Sequence, residues 1–236
     1  MKEEYFKWFS PNLGQDTEML VFGHSGYPII LFPTSMGRFY QNRDFKLIDT
    51  VQWFIDNGLI KIYCPDSIDS QSWYAKHLHP GERVKNHIKY DKMIMEELVP
   101  RALAETGKSK VAFAGCSFGA YHATTFGFRY PSKTGYIFNM GGAYDVTEHL
   151  GGYYDDNVYY FNPPDFIKGL NDPAIYDMGI VFGSAEHDFC LTDTKKLSDI
   201  LKNKGVSHWL DVRMGETHDW PVWRNQFPHY VSLMKF

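Results

Sequence analysis

One serine of the chain stands in a sequence context that favours nucleophilic chemistry. Residues 115–119 read Gly-Cys-Ser-Phe-Gly, a G-x-S-x-G pattern with Ser117 at its centre. An apolar run, Lys110–Ala114, precedes the pattern, and Phe118–Tyr130, which reads as a helix, follows it. At such a strand-to-helix turn the backbone is strained, the flanking glycines leave room for close packing, and the hydroxyl is lifted out of the sheet. We therefore predict that Ser117 is a nucleophile at a helix N-terminus, where developing negative charge is favoured.

A serine hydroxyl is a poor nucleophile at neutral pH and needs a base to take its proton. His218 lies within Gly-Glu-Thr-His-Asp-Trp, residues 215–220, directly after the last predicted strand, Ser207–Met214. In hydrolases that have a strand–serine–helix turn, the chain order is serine, acid, histidine, and the histidine follows a late strand. We predict that His218 is the base and that the other histidines of the chain are structural or solvated.

A third group must orient the histidine. Asp188 is the predicted acid, because it follows the penultimate predicted strand, Asp177–Gly183. Two alternatives remain open. Glu186 lies on the same loop, and Asp145 follows the preceding strand, Gly135–Met140.

A tetrahedral intermediate at the serine needs two backbone N–H donors. The first predicted donor is Phe118, the residue after the nucleophile. The second is expected from the loop 33–37 (Pro-Thr-Ser-Met-Gly), which follows an early apolar strand. Ser35 is the predicted residue of that loop, with Thr34 and Met36 as alternatives.

The elements that must position these groups alternate between strands and helices. The predicted strands are Thr17–Gly23, Pro28–Pro33, Ile60–Cys64, Lys110–Ala114, Gly135–Met140, Asp177–Gly183 and Ser207–Met214. The predicted helices are Lys46–Asn57, Lys89–Glu105 with a kink or break at Pro100, Phe118–Tyr130, about Asp193 to Lys204, and Asp219–Met234 with interruptions at Pro221 and Pro228. This alternation predicts an α/β fold with a mostly parallel sheet and helices on both faces.

The chain of 236 residues fits a single domain, residues 1–236. Thr17–Gly23 alternates apolar and polar residues, which indicates an antiparallel edge strand. The segment between the strand ending near Met140 and the strand starting near Asp177 is long enough for a small cap at most. Gly152–Pro164 is the aromatic part of this segment.

Composition excludes several classes of function. The net charge is -4, and the 24 Lys and Arg residues are scattered, so we expect no nucleic-acid partner and no membrane partner. The three cysteines form no CxxC pair, and the N-terminal residues have no apolar signal core, so we expect a cytoplasmic protein with reduced thiols. His77 and His79 suggest a metal pair, but no third ligand accompanies them. We predict no metal and no cofactor, and a homo-oligomer stays open.

Several segments of the sequence resemble those of a known protein family. The chain is similar to the esterase family of α/β-hydrolases that includes esterase-D-like enzymes, siderophore esterases, feruloyl and acetyl-xylan esterases, and mycolyltransferases. The likeness is carried by FPTSMGRF, PDSIDSQSWY, GCSFGAYH, GSAEHDFCL and THDWPVWRNQF, which are spread over most of the chain. The resemblance implies the α/β-hydrolase fold and supports the role of His218.

The expected function is hydrolysis of a small carboxylic ester through an acyl-enzyme, with a Ser117–His218–Asp188 triad. Acyl transfer to an alcohol uses the same groups and remains an alternative. Thioester cleavage, as in S-formylglutathione hydrolysis, is another, and a non-catalytic scaffold is a lesser one. Fold alone does not decide the substrate.

Overall fold

The computed structural model describes residues 1–236 and contains one sheet of eight strands. The strands are β1 (Glu3–Ser10), β2 (Gln15–Phe22), β3 (Tyr27–Phe32), β4 (Ile60–Pro65), β5 (Val111–Cys116), β6 (Thr134–Met140), β7 (Gly179–His187) and β8 (Trp209–Thr217). Their order across the sheet is β1-β2-β4-β3-β5-β6-β7-β8. β1 and β2 pair antiparallel, as do β2 and β4, and all later pairs are parallel. The predicted mostly parallel sheet is confirmed.

Strand β1 is absent from the sequence-based prediction. Its residues, EEYFKWFS, mix charged and aromatic side chains, and alternate ones are exposed. The strand forms because β1 and β2 pair along their whole length, from Glu3 opposite Phe22 to Ser10 opposite Gln15. A half-exposed edge strand of this kind carries little apolar signal of its own, since its stability comes from its neighbour.

Helices cover both faces of the sheet. The α-helices are α1 (Gln41–Asp44), α2 (Gln52–Asp56), α3 (Pro80–Lys92), α4 (Val99–Thr106), α5 (Phe118–Arg129), α6 (Asp156–Phe161), α7 (Pro163–Gly169), α8 (Leu191–Asn203) and α9 (Trp220–Ser232). Shorter 3₁₀ turns are Ile48–Val51, Asp69–Gln71, Pro131–Lys133, Thr147–His149 and Pro173–Asp177. In β3, Leu31 packs in the cluster under α2 and α9, whereas Ile30 and Phe32 pack under α3, α4 and α5. Strands buried on both faces explain the continuous apolar runs.

The prolines affect the helices differently from the prediction. The helix expected over Lys89–Glu105 begins earlier, at Pro80, and passes through a π-helical segment, Met93–Leu98, before α4. Pro100 lies in the first turn of α4. The proline has no backbone N–H to donate to the preceding turn, and the wider turns of the π-helical segment lie directly before it. The interruption expected in the last helix is wrong, because α9 runs unbroken through Pro228. Pro221 sits in its first turn, where the backbone N–H has no helical partner.

The carboxyl ends of the parallel strands place several loops at one edge of the sheet. Phe32 of β3 pairs with Gly115 of β5, so the loops after these two strands begin side by side. β7 and β8 are also parallel neighbours, so the loops after them share another part of that edge. None of the helices is both long enough and apolar enough to span a membrane.

Candidate active site

The turn at Ser117 has the strained geometry expected between a strand and a helix. Ser117 has φ 54° and ψ -123°, a region that side-chain-bearing residues rarely adopt. A Cβ added to Gly115 would lie 2.3 Å from the backbone of Gly119, and one added to Gly119 would lie 2.5 Å from the Pro33 oxygen. Both flanking glycines are therefore required by close backbone packing. The same contact brings the start of α5 against the loop that follows β3.

Three of the predicted side chains form one continuous chain of hydrogen bonds. Ser117 Oγ lies 3.0 Å from His218 Nε2, and His218 Nδ1 lies 2.8 Å from Asp188 Oδ1. A carboxylate only accepts, so Nδ1 of the neutral ring carries the proton and the lone pair of Nε2 faces the serine hydroxyl. This arrangement allows the histidine to accept the proton of Ser117.

The carboxylate of Asp188 is buried and held in place by two other donors. The backbone N–H of Cys190 donates to Oδ1 at 2.7 Å, and the hydroxyl of Ser184 donates to Oδ2 at 3.1 Å. These bonds satisfy the carboxylate in a site where an unpaired charge would be costly. They also orient it toward His218.

The two alternative acids point elsewhere. Asp145 Oδ1 accepts hydrogen bonds from the backbone N–H and the hydroxyl of Thr147, so it closes a local turn. Glu186 Oε2 accepts from the backbone N–H of Gly215 at 2.8 Å. Of the three candidate carboxylates, only Asp188 contacts His218.

The turn 34–37 in the loop after β3 leaves one backbone donor free. Thr34 N–H donates to Gln41 Oε1 at 2.8 Å, and Met36 N–H donates to Asp69 Oδ2 at 3.0 Å. The N–H of Ser35 has no partner within the chain, whereas its hydroxyl accepts from Tyr74 at 3.0 Å. Phe118 N–H is also free, at the first position of α5. Ser35 and Phe118, the two residues predicted for an oxyanion site, thus both have a free backbone N–H.

Aromatic side chains border the site on two sides. Tyr74 packs against Phe118 and His149, with ring centroids 5.4 and 4.7 Å apart. Burial lowers the pKa of His149, so this ring is neutral near pH 7 and adds no charge. On the other side, Phe189 is 79% exposed and its ring lies 4.1 Å from that of His218. The rings that border the site on these two sides are therefore apolar or uncharged.

Several residues of the site were not found by sequence reasoning. Gly141 has φ 64°, and a Cβ there would lie 2.8 Å from Asp188 Oδ2 and 3.0 Å from His218 Nδ1. The pair Gly141-Gly142, directly after a strand, is the sequence signal for this close approach. His149, Phe189 and Asp69 carry no comparable signal, because only folding brings them to this edge.

Two groups of side chains have donor types that suit a metal. Atoms of Asp188, Cys190 and His218 lie within 4.8 Å of one another. Asp188 and His218 already bind each other, and burial raises the pKa of the Cys190 thiol to about 12, which keeps it protonated. His79, half of the suspected metal pair, accepts from the N–H of Gly81 through Nδ1 at 3.2 Å and caps α3.

Solved structures of similar shape are esterases and related hydrolases. A ferulic acid esterase superposes with a TM-score of 0.79 and 16% identity, over 98% of this chain and 96% of that one. An S-formylglutathione hydrolase from Agrobacterium tumefaciens gives 0.74 and 11%, over 99% and 95%. A CE1 ferulic acid esterase from the anaerobic fungus Anaeromyces mucronatus gives 0.74 and 14%, over 99% and 90%. No protein-family model matches the sequence, and no curated protein matches it.

At these identities the likeness establishes the fold. The protein has the α/β-hydrolase fold over nearly its whole length, as the sequence predicted. The neighbours are of the kinds that the sequence resemblance named, feruloyl esterases among them.

Proposed function

We propose that this protein is a serine-dependent hydrolase of small carboxylic esters. The observation that carries the proposal is the hydrogen-bond chain from Ser117 Oγ through His218 to Asp188, with distances of 3.0 and 2.8 Å. The two free N–H groups beside it, those of Phe118 and Ser35, support it further. The esterase names of the structural neighbours agree with this chemistry.

The proposed reaction proceeds through an acyl-enzyme. Ser117 Oγ attacks the acyl carbon while His218 Nε2 takes its proton, and Asp188 stabilises the imidazolium that forms. The N–H groups of Phe118 and Ser35 bind the oxyanion of the tetrahedral intermediate. His218 then donates its proton to the departing alcohol. Water, deprotonated by His218, then attacks the acyl carbon. His218 returns this proton to Ser117 Oγ as the bond between the acyl carbon and Oγ breaks, which releases the acid and regenerates Ser117.

The surroundings of the serine favour an uncharged acyl group of modest size. No lysine or arginine side chain donates to Ser117, His218 or Asp188, and the neighbouring rings of Tyr74 and Phe118 are apolar. The three free, buried cysteines support the cytoplasm as its compartment. Thioester hydrolysis is a second candidate, because one structural neighbour with a TM-score of 0.74 is an S-formylglutathione hydrolase.

The test uses purified wild-type protein, Ser117→Ala and a control, Ser207→Ala. Ser207 is exposed and precedes β8, at the opposite edge of the sheet. We expect wild type and Ser207→Ala to react with a fluorophosphonate probe and to hydrolyse short p-nitrophenyl esters. Ser117→Ala is expected to lose the label and to turn over about 10⁴–10⁶-fold more slowly, because it lacks the nucleophile.

Matched oxygen esters and thioesters with the same acyl group distinguish the two candidates through kcat/KM. A higher kcat/KM for the thioester than for the oxygen ester would favour thioester hydrolysis as the function. Folded wild-type protein that neither takes up the probe nor cleaves any ester would rule out both and leave the non-catalytic scaffold.

A further inference from the structure

A buried, hydrogen-bonded pair of side chains, Asp69 and His122, lies beside the candidate active site without belonging to its hydrogen-bond chain. Asp69 is in the 3₁₀ turn after β4, and His122 is on α5, just over one turn beyond Ser117. His122 Nε2 lies 3.1 Å from Asp69 Oδ1, and both side chains are 1% exposed. Placing a carboxylate in such a site is costly unless all its acceptors are used. The second oxygen of Asp69 must therefore also have a partner.

That partner is the loop after β3. Asp69 Oδ2 accepts the backbone N–H of Met36 at 3.0 Å. Met36 is the third residue of a tight turn, 34–37, which is closed by a bond from Gly37 N–H to Thr34 O at 2.9 Å. Its φ of 58° is the left-handed value that a type II turn requires at this position, where glycine is preferred. The turn thus holds a methionine in a strained backbone state.

We propose that Asp69 and His122 are positioning residues for the oxyanion site. Through Met36 N–H, the carboxylate of Asp69 holds the turn in the form that leaves Ser35 N–H free and directed away from the turn. Through His122, the same carboxylate is fixed to the helix whose first residue, Phe118, carries the other free N–H. This inference rests on the proposed function, because it assigns a role to the oxyanion donors.

The geometry explains why a carboxylate is needed. One oxygen binds the helix and the other binds the loop, so the two donors are fixed relative to each other by a single group. Without the bond to Met36, the peptide between Ser35 and Met36 is free to rotate toward a type I turn, which relieves the positive φ. That rotation reverses the Ser35 carbonyl and the Met36 N–H and releases the turn from Asp69, so the Ser35 N–H is no longer held in a fixed position relative to the N–H of Phe118.

Asp69→Asn is the first test. An amide has one acceptor oxygen, which serves either His122 or Met36. Keeping both contacts would require the other tautomer of His122, with a buried Nδ1–H that has no acceptor. We expect kcat for a p-nitrophenyl ester to fall about 10- to 100-fold with KM changed less than about threefold, since the donor acts mainly in the transition state. Equal kcat in folded Asp69→Asn and wild type would overturn the proposal.

A rescue variant distinguishes positioning from general damage. Glycine adopts a positive φ without strain, so Met36→Gly holds the turn without the bond to Asp69. We expect kcat of the double variant Asp69→Asn/Met36→Gly to be at least about tenfold higher than that of Asp69→Asn. The single variant Met36→Gly is measured alongside, to give the effect of the glycine alone. No recovery in a folded double variant would contradict a role that acts through the turn.

A second pair of variants avoids the buried site, in case Asp69→Asn does not fold. Met36 is half-exposed, so Met36→Val and Met36→Gly both leave the core intact. Valine strongly disfavours a positive φ, and we expect its kcat to be about tenfold or more below that of the glycine variant. Similar kcat values in the two variants would overturn the proposal. Fluorophosphonate labelling of wild type separates these outcomes from failure of the proposed function, which abolishes labelling altogether.

Discussion

The orientation of His218 depends on a carboxylate that is 30 residues away in the chain. Asp188 accepts from Nδ1, which leaves Nε2 as the only ring nitrogen able to accept the proton of Ser117. Asp188 is in turn oriented by the backbone N–H of Cys190 and the hydroxyl of Ser184. At the scale of the residue, the proposed reactivity of the serine therefore depends on a buried acceptor that contacts His218 at the ring nitrogen not facing Ser117.

Replacement of Asp188 tests this dependence. In Asp188→Asn the amide N–H faces Nδ1, which favours the ring form with the proton on Nε2, and that form cannot act as a base. We expect kcat/KM for an ester to fall about 10⁴-fold. Asp145→Asn and Glu186→Gln are matched controls, since their carboxylates bind Thr147 and the N–H of Gly215. A comparable loss in either control, with activity kept in Asp188→Asn, would contradict the assignment.

At the scale of the element, β5 and α5 meet in a turn that has no space for larger residues. The backbone of Gly119 lies against Gly115 on one side and against the Pro33 oxygen on the other. This packing joins the nucleophile turn to the loop that carries Ser35. A change in the turn is therefore expected to affect stability and turnover together.

Gly119→Ala tests this coupling. The added methyl group would lie 2.5 Å from the Pro33 oxygen, so the helix and the loop must separate. We expect a loss of about 1–3 kcal/mol in unfolding free energy, or roughly 3–10 °C in Tm. We also expect at least about a tenfold loss in kcat, because the donors move apart. Gly169→Ala is the control, since its nearest contact is the hydroxyl of Tyr159 at 3.1 Å. Unchanged Tm and kcat in Gly119→Ala would count against the coupling.

At the scale of the whole molecule, a charged contact attaches helix α4 to the buried strand β4. Glu105 of α4 binds Lys61 and Tyr63 of β4 at 2.6 and 2.9 Å, and Arg101 of its own helix at 2.7 Å. Burial raises the pKa of Glu105, but these hydrogen bonds outweigh burial and lower it from 4.5 to about 2. The contact therefore stabilises the folded state above pH 4.5, and this stabilisation is lost as the pH falls toward 2.

Glu105→Gln tests this contribution. A pKa lowered from 4.5 to about 2 corresponds to roughly 3 kcal/mol, which solvent screening of a side chain 29% exposed reduces to about 1–2 kcal/mol. We expect this loss in urea unfolding at pH 7, and convergence with wild type as the pH approaches 2. Glu96→Gln, at an exposed position, is the control. A loss of the same size at pH 7 and pH 2.5 would contradict the titration of Glu105. A single cooperative transition would support the predicted single domain.

The sequence by itself determined the buried framework and the place of the serine turn. The segments that became the inner strands β3 to β7 contain apolar runs because helices cover both faces of the sheet. This requirement can be read from the residue types alone. Gly115 and Gly119 are likewise explained locally, because a Cβ at either position would clash with neighbouring backbone. Apolar runs and the glycines of the serine turn can be recognised from a few neighbouring residues, without knowing which distant segments pack against them.

Only the tertiary structure decided which groups meet. The sequence favoured Asp188 as the acid but left Glu186 and Asp145 open, and the conformations of their loops bring only Asp188 to His218. Strand β1 left no pattern, because its stability comes from a neighbouring strand. Asp69 and His122 lie in segments that resemble the family, but nothing in the sequence pairs them with each other. A hydrogen bond across 53 residues depends on three-dimensional position, and no local period of the sequence encodes it.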